Sequence, residues 1–491
     1  MENQFVKHGA LLVVGLFLSV ASFGQISFYK VYSGNGYDKG EGIAQLPDSG
    51  FLVTGSSSSF GDAPSQVFLM RLDSMGAFQW SKAYGGIEFE EGKRVMPLPG
   101  FGYFLAGTSS SGPSANFDSY VLFTDEAGNL QWETRTDNGA WERVHDAVLM
   151  ADTSVMIIGE TDSTYNGNID LFAARYDQSG SLIWKQQWGT DHDDFGNAIV
   201  SISDTTVLIA GTYYVADSAQ NKGYLAKMHI DGSLIWEETY GTQGDYWLND
   251  VCTVGTNIKV IGERIKTGKT DRDGYFAHIQ SDGTISYGEE FYSTADTKNG
   301  VFTPYTAATD KFFMSEQTIN PGIPTFEDGE DAFVSRFNSG LYWDNYGAGY
   351  NGVGQDQVND IVPTSDGYAA FVGFHTTYGP GGNSVFLVKI GNDGAFPPTT
   401  SNPTIINIVF LEDLVALKSL KVYPNPVNDQ LTISIEDAEF DYTLLDASGK
   451  LLLTGHSWSA QQLDFSQQSQ GVYFLQVSHQ SGETAVVKLV K

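Results

Sequence analysis

Cysteine is almost absent from this sequence, and the absence limits how the fold can be stabilised. Cys252 is the only cysteine in 491 residues, so the chain cannot form an internal disulfide. It lies in the apolar run NDVCTV, a setting typical of a buried, unreactive thiol. Packing must therefore supply the stability of the folded chain.

Positive charge is also scarce. The chain carries 59 acidic and 27 basic residues, a formal net charge of −32. Such a surface repels nucleic acid phosphates and anionic lipid headgroups. We therefore expect no nucleic-acid ligand.

Long hydrophobic runs are confined to the N-terminus. Residues 1–24 contain Lys7, continue with ALLVVGLFLSVASFG, and end on small residues before Gln25. This run has roughly 15 apolar residues, whereas a membrane-spanning helix needs roughly 20. The pattern predicts a secretory signal peptide over residues 1–24 and no transmembrane segment in the mature chain.

Motifs for catalysis and metal binding are missing as well. The eight histidines form no HExxH, no serine lies in G-x-S-x-G, and no glycine-rich phosphate loop is present. TDRDG at 270–274 and FEDGED at 326–331 contain calcium-type ligands without the complete spacing of an EF-hand loop. We assign no catalytic, cofactor-binding or metal-binding residue; calcium stays an open alternative.

A repeat of about 52 residues dominates the rest of the chain. Trp80, Trp132, Trp184 and Trp236 each follow the previous one by 52 residues and end similar hairpins. Two further landmarks recur, an aromatic residue and a small residue: Phe68, Tyr120, Phe172, Tyr224, Tyr275, Phe333 and Phe386; Gly55, Gly107, Gly159, Gly211, Gly262, Ser315 and Gly373. A period near 50 residues is typical of β-propellers and other β repeat arrays.

Each repeat predicts four strands, so we expect an all-β fold with a seven-bladed β-propeller over residues 25–399. FYKVY at Phe28–Tyr32 matches the strand Trp80–Tyr84, while Pro397 and Pro398 interrupt the corresponding strand of the seventh repeat. The N-terminal strand should therefore complete the last blade and close the ring. If the Trp184 ring is buried between blades, its removal should cost about 3–5 kcal/mol.

The loops separate two faces of the predicted disc. The connections within each pair of strands 1–2 and 3–4 are tight turns such as PDSG and DSMG, whereas the others are long. Binding residues collect on loops carried by a rigid frame. On this long-loop face the candidate ligand-binding residues are Tyr213, Tyr214, Trp247, Tyr350 and Tyr378. Solvated connectors with no ligand are the alternative.

After a polar linker over residues 400–415, the tail at 416–491 changes pattern. VYPNPVNDQLTISI and the segments after it alternate apolar and polar residues, which predicts a small immunoglobulin-like β-sandwich of about seven strands. An ordinary adhesion module of that fold would show the same alternation. Further motif residues follow in order up to the last residue of the chain: Tyr423, Pro424, Asn425, Pro426, Gly449, Lys450, Gly471, Tyr473, Lys488 and Lys491.

These motifs resemble the type A C-terminal sorting domain of the type IX secretion system, and the repeats resemble secreted kelch-like seven-bladed propeller proteins. The first resemblance implies a Gram-negative source and export through the inner membrane by the signal peptide. It also implies recognition by the outer-membrane machinery and a sorting peptidase, followed by release or attachment to lipopolysaccharide. The implied location is the cell surface or the medium.

Two functions are compatible with this organisation. The first is a secreted or cell-surface protein that binds a glycan or a protein through the long-loop face. The second is an extracellular hydrolase or lyase acting on polysaccharide. An enzyme should gather carboxylates or a histidine with perturbed pKa in the central funnel, whereas a binding protein should present mainly aromatic side chains.

Overall fold

The computed structural model describes residues 27–59, 63–113, 116–136, 139–162, 168–254, 257–291, 296–304, 311–319, 331–338, 343–350, 354–376, 382–390, 404–407, 420–424, 426–446, 450–479 and 484–491. Within these ranges the regular structure consists of 34 β-strands and no helix. The expected all-β class is confirmed for this part of the chain.

Strand β1 (Phe28–Ser33) precedes a series of four-stranded sheets. Sheet 1 contains β2 (Asp38–Gln45), β3 (Phe51–Ser57), β4 (Gln66–Leu72) and β5 (Phe78–Tyr84). Sheet 2 contains β6 (Glu90–Leu98), β7 (Gly102–Ser109), β8 (Asp118–Thr124) and β9 (Leu130–Arg135). Sheet 3 contains β10 (Glu142–Leu149), β11 (Val155–Thr161), β12 (Asp170–Tyr176) and β13 (Leu182–Trp188).

Three more sheets follow in the same order. Sheet 4 contains β14 (Phe195–Ser203), β15 (Thr206–Val215), β16 (Gln220–His229) and β17 (Leu234–Tyr240). Sheet 5 contains β18 (Asp245–Val254), β19 (Asn257–Ile265), β20 (Arg272–Ile279) and β21 (Ile285–Phe291). Sheet 6 contains β22 (Asp296–Pro304), β23 (Lys311–Ile319), β24 (Asp331–Asn338) and β25 (Trp343–Tyr350).

Sheet 7 combines both ends of the repeat region. It contains β26 (Asp356–Pro363), β27 (Ala369–His375) and β28 (Ser384–Lys389), followed by β1 and by β29 (Thr404–Asn407). β1 pairs antiparallel with β28, with Phe28 opposite Lys389 and Tyr32 opposite Val385, as the sequence predicted. β29 lies in the segment assigned to the linker, where it pairs parallel with β1 and covers an edge that would otherwise be open.

The sheets are arranged in a closed, propeller-like ring. The first strand of each sheet contacts the first strand of the next, and β2 contacts β26. The cores lie between consecutive sheets: one cluster joins Leu52 and Leu69 to Leu105, and another joins Phe51 of sheet 1 to Val372 of sheet 7. Because the middle strands are packed on both faces, they are apolar along nearly their whole length.

The recurring glycine allows a close approach within each sheet. A Cβ on Gly159 would lie 1.9 Å from the Arg143 carbonyl oxygen, because β10 bulges between Val144 and Asp146. The recurring aromatic residue of this sheet is less close, with Phe172 Cε1 at 3.0 Å. The glycine is therefore required mainly by the bulged first strand.

Sheet 6 departs from this pattern. Phe333 pairs with Glu316 rather than with Ser315, so the predicted small-residue landmark is one residue out of register. The pairing of β22 with β23 is interrupted between Asn299 and Phe302, and Ser315 Oγ accepts the Val301 amide there at 2.9 Å. A larger bulge in β22 accompanies the absence of the glycine.

The tail forms a separate five-stranded sheet. Its strands are β30 (Lys421–Tyr423), β31 (Gln430–Asp446), β32 (Leu451–Asp464), β33 (Val472–His479) and β34 (Thr484–Val490), with β31 in contact with β30, β32 and β33. The sequence predicted about seven strands. The number is lower because β31 and β32 are long. The register between them breaks between Ser434 and Glu439, so β31 is one strand where two shorter ones would also fit the sequence.

The repeated tryptophans lie on the outer strands and contact a turn of the next sheet. Trp184 is half-buried, and its indole Nε1 donates to the Ile230 carbonyl in the β16–β17 turn at 2.8 Å. Trp132 and Trp236 make the equivalent bonds to Gln178 and Ser281, at 3.2 and 3.1 Å. The rings therefore cover the turn of the next sheet and are not fully buried.

Replacing Trp184 with alanine should lower the free energy of unfolding by about 2 kcal/mol, since half of a large apolar ring and one hydrogen bond are lost. Chemical denaturation measures this change. Ile183→Ala is the matched control, because Ile183 is the preceding residue and 47% exposed; it should change stability by less than about 0.5 kcal/mol. A loss of about 4 kcal/mol for Trp184→Ala would indicate a fully buried ring.

Candidate functional site

Two cavities are candidate sites, and the first lies on the axis of the ring. It has a volume of about 360 Å³ and is lined by residues of the first strands, including Glu41, Lys93, His145, Asn197 and Asn359. Where the register is resolved, the bulge in each first strand directs a side chain of this set inward.

Three of the axial side chains bond the backbone of the next sheet. Asn197 Nδ2 donates to the Leu248 carbonyl and Asn359 Nδ2 to the Gly40 carbonyl, both at 2.8 Å. His145 Nδ1 lies 3.0 Å from the Gly196 carbonyl oxygen. These contacts occur at equivalent positions of sheets 3, 4 and 7, which indicates a structural role.

Three axial aspartates form a second set of hydrogen bonds between sheets. Asp146, Asp250 and Asp360 each accept a backbone N–H of the next sheet, from Ile199 at 2.8 Å, from Phe302 at 3.0 Å and from Ile43 at 2.8 Å. Their other carboxylate oxygens accept the amide of the following residue. Both oxygens are thus occupied by the protein itself.

The axial charges are paired unequally. Arg94 bridges Asp146 and Asp360, and Lys93 contacts Glu41 at 3.2 Å. Burial raises the pKa of Glu41 to about 7 although the Lys93 charge opposes the shift. Burial likewise raises the pKa of Asp250 to about 7, against the Phe302 amide that favours its charged form.

The second cavity, called the rim cavity here, lies on the long-loop face between sheets 3 and 4. Its volume is about 760 Å³, and its lining includes Asp170, Trp188, Gly189, His192, Tyr214 and Asp217. It is built where β13 ends, where the chain crosses from sheet 3 to sheet 4, and where β15 ends.

Aromatic rings form the walls of the rim cavity. The His192 ring stacks on Tyr214, with centroids 3.9 Å apart and an interplanar angle of 20°. Trp188 Nε1 donates to Tyr224 Oη at 3.0 Å, and Tyr224 stacks on Tyr213 with centroids 3.8 Å apart. These contacts hold Trp188 in one orientation.

The five predicted binding residues do not converge on one surface. Tyr214 lines the rim cavity, and Tyr213 packs behind it. Trp247 lies in β18, with the Arg272 guanidinium carbon 5.3 Å from a ring centroid, and is not part of that cavity. Tyr350 ends β25 but its side chain is outside the described residues, and Tyr378 lies outside them entirely.

Sequence reasoning missed Trp188, His192 and Asp170. A signal was present for Trp188, because Tyr84 and Tyr240 occupy the equivalent position and bond to the turn of the next sheet, at 2.7 Å in each case. Trp188 replaces the repeated tyrosine and bonds Tyr224 instead of the turn, so the side chains at this boundary differ from those at the others. His192 lies in a connection, where spacing along the chain gives no such signal.

The acids at the starts of the first strands serve the scaffold. Asp38 Oδ2 accepts the Gly34 amide at 2.7 Å, Asp194 Oδ1 the Tyr214 amide at 2.8 Å, and Asp245 Oδ1 the Asn221 amide at 2.8 Å. Carboxylates repeated around a ring could instead bind cations. Their bonds to backbone amides favour the structural role.

The described residues contain no preformed calcium site. In the described residues, no three His, Cys, Asp or Glu side chains are arranged to hold a metal ion. In TDRDG, Asp273 is buried and lies 3.6 Å from Lys266 Nζ, while Arg272 bonds Glu263. Residues 326–330 of the other candidate lie outside the described residues.

The predicted sorting residues fall into an exposed group and a structural group. Tyr423, Pro424, Pro426 and Lys450 are exposed, with Tyr423 at 51%. Those with structural contacts are Tyr473, which is buried and donates to the Ser469 carbonyl at 2.7 Å, and Gly471 and Lys491, whose main chains bond each other at 2.9 and 3.0 Å. Asn425, Gly449 and the Lys488 side chain are outside the described residues.

The C-terminal segment matches a known family. Residues 421–491 match the family of secretion system C-terminal sorting domains. This confirms the predicted type IX sorting domain over these residues and supports export to the cell surface or beyond. No curated protein matches the chain.

Solved structures resemble the chain at low identity. The extracellular domain of a hybrid two-component system protein from B. thetaiotaomicron is 7% identical, with a TM-score of 0.39; the match covers 94% of this chain and 57% of that one. This chain therefore spans little more than half of that domain's length. The β-propeller domain of the Trilobed protease from Pyrococcus furiosus is 10% identical, with a TM-score of 0.40 and coverage of 79% and 98%. Likenesses at this level carry no conclusion about function.

In the part of the chain that the structure describes, no helix is long and apolar enough to cross a membrane.

Asp250 makes stability depend on pH. The unfolded chain releases this proton near pH 3.8, whereas the folded chain keeps it up to about pH 7. The folded state therefore binds more protons between these values, and the contribution of Asp250 falls as pH rises through this window. The unfolding free energy of the wild type minus that of Asp250→Ala should be larger at pH 5 than at pH 7.5 in urea titrations.

Asp231→Ala is the control, because Asp231 is exposed and hydrogen bonds from Ser233 lower its pKa. Both of its states are ionised from pH 5 to pH 7.5, so its difference should stay constant. A constant difference for Asp250→Ala would show that its carboxylate stays charged in the fold.

Proposed function

We propose that this chain is a type IX secreted or cell-surface protein that binds a glycan or a protein through its long-loop face. The match of residues 421–491 to the sorting domain carries the export part of the proposal. The rim cavity, with its aromatic walls on a rigid ring, supports the binding part.

The proposal includes a domain organisation. Residues 1–24 are a signal peptide, residues 25–399 a seven-bladed β-propeller, and residues 416–491 an immunoglobulin-like sorting domain. Residues 400–415 connect the last two, with Thr404–Asn407 added to sheet 7. The cyclic contacts of the first strands support the seven-bladed ring, and the thirteen-residue core between the tail strands supports a packed domain.

The export partners follow from the sorting domain. The exposed residues Tyr423, Pro424, Pro426 and Lys450 are available to the outer-membrane machinery and to a sorting peptidase, while Tyr473 and Lys491 hold the fold that presents them. The mature propeller is then released or attached to lipopolysaccharide.

A polysaccharide hydrolase or lyase is the second candidate. Two axial carboxyl groups with pKa values near 7, Glu41 and Asp250, are what such an enzyme would gather in its funnel. We rank binding first because both Asp250 oxygens accept hydrogen bonds from backbone amides and Glu41 accepts one from Lys93. A water or a sugar would have to displace these bonds.

Deleting residues 416–491 should retain the propeller in the periplasm, because the deletion removes the recognition signal and leaves the signal peptide intact. Cell fractionation with immunoblotting measures the distribution. The control is Trp458→Ser, a change at a side chain that is 61% exposed and outside the motif; this variant should be exported normally. Undiminished export of the deletion variant would contradict the sorting role.

A glycan array probed with the full chain tests the binding function. Tyr214→Ala should reduce binding at least tenfold, since it removes one wall of the rim cavity and the support for His192. Phe101→Ala is the control, because Phe101 is 64% exposed in a tight turn on the opposite face. Turnover of a polysaccharide, lost in Glu41→Gln, would favour the enzyme instead.

A further inference from the structure

The outer strand of sheet 3 differs from its neighbours at one register position. In sheets 2 and 4 this position holds Glu133 and Glu237. Each of these glutamates accepts a hydrogen bond from a tyrosine of its own third strand, Tyr120 or Tyr224. In sheet 3 the same position holds Lys185. A cation therefore replaces an anion at this place in the sheet.

The third strand of sheet 3 differs as well. Phe172 occupies the position of the two tyrosines and brings no hydroxyl group. The Lys185 side chain is 14% exposed, and its Nζ lies 5.2 Å from the centroid of the Phe172 ring. It forms an ion pair with Glu142 of the first strand. Lys185 thus connects the outermost strand of sheet 3 to the innermost one.

The Glu142 carboxyl group lacks the donors that its equivalents in other sheets have. Glu90 accepts hydrogen bonds from two serines, and Asp194 accepts them from two backbone amides. Glu142 is fully buried. Among the described residues its side chain bonds Lys185 alone, and no donor reaches its Oε2. Burial without hydrogen-bond donors disfavours the charged form of a carboxyl group.

A second acid lies beside this ion pair. Asp118 of sheet 2 is fully buried, and its charge acts on Lys185. The Glu142 backbone amide donates to the carbonyl of Phe117 at 2.7 Å. Because Phe117 precedes Asp118 directly, this bond fixes the two acids on either side of the boundary between sheets 2 and 3. One amine therefore lies close to two carboxyl groups that have no exposed surface.

The surroundings also change how readily Lys185 loses its proton. Burial lowers the pKa of Lys185 to about 8, although the Asp118 charge opposes the shift. Burial would lower the pKa of Lys93 as well, but the Glu41 and Glu91 charges raise it overall. Lys93 is thus held in its charged form, whereas Lys185 has access to the neutral one. A neutral, desolvated lysine amine is a nucleophile.

We propose that Lys185 and Glu142 form an intramolecular amide bond, with Asp118 as the proton carrier. The neutral Lys185 amine attacks Cδ of the protonated Glu142 carboxyl group, and the new N–C bond replaces the C–OH bond. Asp118 takes a proton from the attacking nitrogen and returns it to the departing hydroxyl, which leaves as water. The reaction needs no oxidant and no further reactant. It also removes a buried pair of charges, whose desolvation is costly.

The amide bond cross-links the first and last strands of sheet 3. Lys185 follows Glu142 by 43 residues, so the bond closes a loop that contains the whole sheet. A cross-link of this kind restricts the unfolded chain in the way a disulfide does. Cys252 is the only cysteine and cannot form an internal disulfide. The amide therefore gives the ring a covalent cross-link that does not depend on cysteine.

Mass spectrometry of the purified full chain tests the proposal. The intact mass should be lower by one water than the sequence mass, and a denaturing tryptic digest should contain a branched peptide that joins Lys185 to Glu142. Lys389 is the internal control, because it forms an ion pair with Asp366, which is 38% exposed; the digest should contain a free peptide that ends at Lys389. An unmodified intact mass, with a free peptide that ends at Lys185, would overturn the proposal.

Two variants test the roles of the residues. Lys185→Arg keeps the charge and removes the nucleophile, so its mass should equal the sequence mass; a loss of water that persists in this variant would arise elsewhere and contradict the proposal. Asp118→Asn keeps the shape and removes the proton carrier, so the cross-linked fraction should fall at least tenfold. Unchanged cross-linking in Asp118→Asn would refute the role of Asp118. Circular dichroism checks that both variants fold, and the wild-type spectra test the amide independently of them.

Discussion

The bulged first strand is the constraint on which the ring depends. Each bulge turns one side chain toward the axis and, in three sheets, an aspartate toward the next sheet, where it accepts a backbone amide. The same bulge brings a carbonyl so close to the second strand that only glycine fits there, as at Gly159. Sheet-to-sheet bonding and the glycine rhythm are therefore two results of one backbone feature.

This constraint determines what the axis can do. A buried carboxyl group with a raised pKa, such as that of Asp250, is a common sign of catalysis. Here, however, Asp250 occupies the same position as Asp146 and Asp360, and all three side chains accept a backbone amide of the neighbouring sheet. Arg94 is the exception to the repeat, since one guanidinium joins Asp146 to Asp360 across the axis. Removing it would leave two buried carboxylates without a positive charge beside them, a change that costs about 3–5 kcal/mol in comparable pairs. These contacts make the axis a structural joint.

The sequence predicted the features that repeat. Aromatic residues 52 positions apart identified the strands, and the match of Phe28–Tyr32 to Trp80–Tyr84 identified the strand that closes the ring. It did not predict the half-exposure of Trp184, because a period reports where a side chain recurs but not how far it is covered. Nor did it predict the shift at Glu316, since an insertion and a bulge compensate each other only in the folded pairing.

The rim cavity lay beyond sequence reasoning for a related reason. Asp170, Trp188 and His192 are close only because a third strand, a fourth strand and a connection meet at one boundary. This boundary also differs from the others in its side chains: Trp188 occupies the position of Tyr84 and Tyr240, and Glu237 the register position of Lys185. In a ring of similar sheets the shared residues maintain the frame. Residues that differ at one boundary are therefore where a function specific to this chain should be sought.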